Sequence, residues 1–124
     1  MRLSLVKISP VQEKRQEVLD ILISMKGPTQ AESGCLSCWI LEEYGDDQSI
    51  VYVELWRTLG EMHRHMRSNL YARILEAMEL SDKEPEVRFY EIVSVCGLDL
   101  IEQVRMPEGK KISAEGKGTV QQGG

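Results

Sequence analysis

Apolar and polar residues alternate from residue 2 to residue 9 (RLSLVKIS), with Leu3 and Leu5 on one side and Val6 and Ile8 on the other. A period of two predicts a strand, which Pro10 ends. From residue 11 to residue 26 the period lengthens. Val11, Val18, Leu22 and Met25 recur at helical spacing, Leu19 and Ile21 widen the stripe, and Gly27-Pro28 is expected to stop the helix. A polar connection, TQAESG, leads to a second strand at about 35–44. The turn GDDQS then forms a hairpin with a third at about 49–57. A helical stretch follows at about 59–80, with a break expected near Ser68-Asn69. Pro85 precedes a fourth strand, VRFYEIVSV, at about 86–95, and LDLIEQV after Gly97 reads as a short helix.

The order strand, helix, strand, strand, helix, strand predicts an α+β fold, the ferredoxin-like βαββαβ arrangement, with an antiparallel sheet and both helices on one face. Simple alternation along the second strand puts Leu36, Cys38 and Ile40 on one side and Cys35, Trp39 and Leu41 on the other. Both sides are apolar, so both need a cover. The helices cover one. A second copy of the same sheet is the expected cover for the other, which predicts a homodimer through facing sheets. The C-terminal segment is the rival cover. Residues 1–100 are expected to form the domain and residues 101–124 an extension. Its Gly-rich tail, with five glycines in the last sixteen residues, has too few aliphatic residues for a core of its own.

Composition narrows the function. The chain has 124 residues and a net charge of −5, which suits one acidic soluble domain and argues against a nucleic-acid surface. No run approaches the length of a membrane span and the N-terminus does not read as a signal peptide, so no membrane partner and a cytoplasmic location are expected.

Two patterns suggest chemistry. Cys35 and Cys38 form C-x-x-C, but three positions apart on a regular strand they point to opposite faces, where they cannot share a disulfide or a zinc ion. They read as buried structural thiols. His63 and His65 form H-x-H on a helix, roughly 200° apart, so they do not converge on a metal. His63 shares a stripe with Leu59, Met62 and Met66, which makes it the more buried of the two by periodicity.

The run Gly34-Cys35-Leu36, the strand end Glu54-x-Trp56 and the spacing His65-x-x-Ser68 together resemble the antibiotic biosynthesis monooxygenase (ABM) family over about residues 2–97. The resemblance implies a dimeric α+β barrel and selects His65, rather than His63, as the pocket histidine. It also implies a quinol-monooxygenase-like activity without a cofactor, on a small aromatic quinol, anthrone or polyketide-like substrate. Dioxygen reacts slowly with closed-shell molecules but can accept an electron from an electron-rich anion, so such an enzyme needs a dry pocket and a proton acceptor. His65 and Glu54 are the candidate catalytic pair. Trp39, Tyr52, Trp56, Tyr71, Arg88 and Tyr90 are the candidate substrate-binding residues. The plainer role for Glu54 is a salt bridge to Arg88 or Arg57, and the aromatics can equally be core. The haem-degrading branch is not matched: strand one lacks its asparagine, and Leu75 stands where its histidine would be. No metal ligand set and no nucleotide-binding glycine motif is present. The alternatives are a non-catalytic dimeric barrel binding a small apolar ligand, as a stress or regulatory accessory, and an isomerase using the same pocket.

Overall fold

A computed structural model describes residues 1–45 and 48–107. Two residues of the expected turn, 46–47, and the Gly-rich tail from 108 onward lie outside the described residues. The chain divides into two compact units, Met1–Glu91 and Ile92–Gly124. The first unit contains β1 (Arg2–Ile8), α1 (Gln12–Gln30), β2 (Cys35–Glu42), β3 (Ile50–Trp56), α2 (Leu59–Met66), α3 (Ala72–Glu79) and β4 (Glu86–Glu91). The second contains α4 (Leu98–Arg105), so the boundary expected at residue 100 falls inside a helix. No helix among the described residues is long and apolar enough to cross a membrane.

The four strands form one antiparallel sheet in the order β2-β3-β1-β4. This is the expected ferredoxin-like topology. Val6 and Ile8 of β1, Cys38 of β2, and Ile50 and Tyr52 of β3 pack in one buried cluster. From the helices it takes Val18, Leu22, Met25, Ile74 and Ala77.

Three boundaries differ from expectation, each for a local reason. α1 does not stop at Gly27-Pro28 but continues to Gln30. Pro28 has no N–H to donate one turn back, so the last turn loses one hydrogen bond but is not ended by it. Thr29, just beyond, is fully buried, and its Oγ1 accepts a hydrogen bond from the Tyr52 hydroxyl at 3.3 Å. Packing on the sheet holds the last turn. β4 ends at Glu91 rather than near 95 because its only partner ends there: Glu91 pairs with Arg2, the first residue of β1. The expected break in the second helical stretch is real. The Ser68 hydroxyl donates to the His65 carbonyl at 2.7 Å and accepts from the Tyr71 amide at 3.3 Å, closing the turn between α2 and α3.

β2 corrects the alternation argument. Cys35 pairs with Trp56 and Ser37 with Leu55, so Leu36 has no cross-strand partner and forms a bulge. A bulge inserts one residue and reverses the parity after it. Cys35 and Cys38, opposite Trp56 and Glu54, therefore lie on the same, helix-covered face. Ser37, Trp39 and Leu41 lie on the open one. Neither cysteine is in a disulfide, and Cys38 is buried. Burial pushes the Cys35 thiol up to about 11, helped by the nearby Cys38, Glu54 and Glu32. Burial likewise raises that of Cys38.

Candidate functional site

Beneath α2 a polar chain crosses the apolar interior. Alternation along β3 turns Tyr52, Glu54 and Trp56 toward the helices, and all three are essentially inaccessible to solvent. His65, in the last turn of α2, is also fully buried. Its Nε2 lies 2.9 Å from Glu54 Oε2, and its Nδ1 lies 2.8 Å from Glu32 Oε2. The other Glu54 oxygen accepts from Trp56 Nε1 at 3.0 Å. Trp56 packs on the imidazole with ring centroids 4.9 Å apart, and Tyr71 meets its edge at 5.4 Å, perpendicular to it.

The electrostatics follow from this geometry. With both carboxylates ionised, and so only accepting, both ring nitrogens donate and His65 carries the imidazolium charge. Burial by itself would lower its pKa. The hydrogen bonds and charges of Glu54, and then of Glu32, outweigh burial and hold it above the ordinary imidazole value. Its place at the C-terminal end of α2 favours the same charge. Burial, and then the charge of Glu54, push Tyr71 up to about 12. Tyr52 is shifted upward too, by burial and by its contact with Cys38, whose Sγ lies 3.3 Å from the phenol oxygen. No buried side-chain nitrogen or oxygen among the described residues lacks a partner.

The expected site residues thus separate into two groups. His65, Glu54, Tyr52, Trp56 and Tyr71 come together on the helix side of the sheet. Trp39 pairs with Val53, Arg88 with Leu5 and Tyr90 with Leu3, which places them on the opposite face. The salt bridges weighed for Glu54 do not form: Arg57 pairs with Glu61, and Arg88 with Glu86. Glu32, the second acid on His65, was not anticipated. It sits in the polar connection after α1, where neither period nor motif distinguishes it from a solvated glutamate.

A cavity of about 320 Å³ opens beside this chain. Leu59, Met62, His63 and Met66 of α2 form one wall. Arg2 of β1 and the helix-side residues Phe89 and Glu91 of β4 form the other; Tyr90, between them and on the opposite face by pairing, also borders it. Phe89 pairs with Ser4 and Glu91 with Arg2 on the helix side. Arg2 makes an ion pair with Glu91 at 3.5 Å. His65 and Glu54 are not on its surface. The stripe Leu59–Met62–His63–Met66 read from periodicity is real and borders this cavity; Met62 is buried and Met66 packs against the core, but His63 is exposed while His65 is buried. Among the described residues, no three His, Cys, Asp or Glu side chains converge as metal ligands.

Comparison with known proteins agrees with the fold. The chain is 22% identical to a Deinococcus radiodurans protein provisionally assigned as an antibiotic biosynthesis monooxygenase. That match has a TM-score of 0.71 and covers 79% of this chain and 98% of that one. A conserved Methanosarcina mazei protein is 27% identical, with a TM-score of 0.66 over 73% of this chain and 92% of its own. An uncharacterised protein of Synechocystis is 25% identical over 88 residues, which span 70% of this chain but only 58% of that protein. The sequence profile of the family described as antibiotic biosynthesis monooxygenase matches residues 1–77, from β1 into α3 and through both His65 and Glu54. The chain therefore belongs to the antibiotic biosynthesis monooxygenase family.

Proposed function

We propose that this protein oxidises a small, flat, electron-rich aromatic with dioxygen, without a cofactor, in the cavity between α2 and β4. The observation that carries this reading is the lining. Phe89, Leu59 and the two thioethers of Met62 and Met66 offer apolar, polarizable surface for a ring system. Arg2, His63 and Glu91 add polar groups at its edge. In such a reaction an anthrone or quinol anion supplies the electrons, one oxygen atom enters the ring and the other leaves as water. Family membership supports the reaction class, and the aromatic substrate is our inference from the lining.

The Glu32–His65–Glu54 chain serves this site by position. Both nitrogens of His65 are occupied, so it holds α2, and with it the cavity wall, against the sheet. The protein works as a homodimer through its open sheet faces. Trp39, Leu41 and Tyr90 are 42%, 50% and 45% exposed there, beside Val51 and Leu55, an apolar patch of the kind that marks an interface.

One observation favours a second reading, a barrel that binds an apolar ligand without turning it over: the buried histidine does not reach the cavity. Oxygen uptake with a panel of quinols and anthrones, using chelator-treated protein, separates the two. Uptake with release of the oxidised product supports the oxygenase. Binding of the same compounds without uptake supports the ligand-binding barrel and removes the oxygenase.

A further inference from the structure

The geometry points to His63 as the group that takes the substrate's proton, with Arg2 holding the oxyanion that results. The inference rests on the reading that the α2–β4 cavity holds the substrate. A proton acceptor needs a free lone pair within reach of the ligand. His65 offers none, since Nδ1 faces Glu32, Nε2 faces Glu54 and the ring is sealed from solvent. Glu54 has both oxygens engaged, by Trp56 and His65. His63 is exposed and on the cavity wall, and its imidazole has no hydrogen-bond or charge partner among the described residues.

Arg2 enters the cavity from β1, on the helix-covered face of the sheet, across from α2. Among the described residues its ion pair is with Glu91 through Nη2, which leaves guanidinium donors for a ligand. A hydroxyl set between His63 and Arg2 would lose its proton to the imidazole: the O–H bond breaks, an N–H bond forms, and the phenolate rests on the guanidinium. The ring would then lie along Phe89, Met62 and Met66. The ligand class is accordingly a phenol or enol with one acidic hydroxyl at the edge of a flat apolar body.

Proton transfer can be observed without oxygen chemistry. Nitrophenol and a hydroxyanthraquinone absorb at longer wavelength as phenolates than as phenols. Titrating the full chain with each, anaerobically, should raise the phenolate-to-phenol ratio of the bound dye about tenfold over that in buffer. H63Q, substituted at an exposed position, should still bind the dye but lose that increase. R2Q should weaken binding. With a turned-over substrate, His63→Ala should lose about 100-fold in kcat, and added imidazole should restore part of it, a rescue that a structural role would not show. An undiminished phenolate signal in H63Q, or dyes that do not bind, overturns the inference. A phenolate signal that depends on His63 without oxygen uptake leaves the inference standing and removes the oxygenase reading. Oxygen uptake unchanged in H63Q does the reverse.

Discussion

Glu54 Oε2 lies 2.9 Å from His65 Nε2, and the two side chains are 1% and 0% exposed. A buried acid and a buried imidazolium, joined to Glu32 on the other ring nitrogen, tie α2 to β3 and to the turn after α1. Removing one member of a buried pair leaves the other charged and unsolvated, which costs about 3–5 kcal/mol. Glu54→Gln is therefore expected to lower unfolding stability by about that amount in urea melts. Glu32→Gln, at the solvent-reaching end with 27% of its side chain exposed, should cost clearly less. Equal losses in the two variants would contradict the geometry.

The same chain predicts a pH dependence. The folded pKa of His65 is raised, so its contribution to stability is fully present below the unfolded value of 6.5 and is lost as pH rises through the folded value. The stability advantage of the wild type over His65→Gln should therefore shrink as pH is raised above neutrality. Urea melts across that interval, with an NMR titration of the His65 ring, would check the sign. An advantage that grows with pH would mean a neutral histidine in the fold.

Gly34 has a positive φ of 91°, and a Cβ there would collide with the Glu61 carboxyl group. That carboxylate is clasped by Arg57 and by the Thr58 hydroxyl. Gly34→Ala should thus cost at least about 1–2 kcal/mol for the backbone alone. Thermal unfolding of Gly34→Ala in a Glu61→Ala background should show a smaller loss, because the clash is relieved and only the backbone strain remains.

On the open sheet face, Leu41 is half exposed in the single chain. In the homodimer proposed above, Leu41→Glu should leave the protomer folded while weakening association at least about 100-fold, because like charges would meet across a two-fold interface. Sedimentation velocity would register monomers. A variant dimer as tight as the wild type would show that the sheets do not face each other.

The Cys35 thiol, pushed up to about 11 by burial and by its acidic neighbours, should be alkylated by iodoacetamide near neutral pH roughly 100-fold more slowly than an ordinary thiol. Its rate should climb steadily as pH rises toward 11. Mass spectrometry of labelled peptides measures it directly.

Element order, the hairpin, the break at Ser68 and the grouping of Tyr52, Glu54 and Trp56 on one face were all legible in the sequence. Each depends on residues close in the chain, and on periods of two and 3.6 imposed by the backbone itself. The stripe Leu59–Met62–His63–Met66 was legible for the same reason. Periodicity tells which side chains share a helix face, but not whether that face meets a closed core or an open cavity. That was decided by where β4 lies, beside β1 and reaching only to Arg2. The faces of Cys35 and Cys38 were decided by a bulge at Leu36, visible only in pairing with β3. The partner of His65 was decided by Glu32, 33 residues away in the chain. Sequence alone thus determined the strands, the helices and their amphipathic faces, because those follow from local geometry. Which histidine is sealed between two acids, and which one faces a cavity, came from contacts between distant segments, and only the folded chain brings those together.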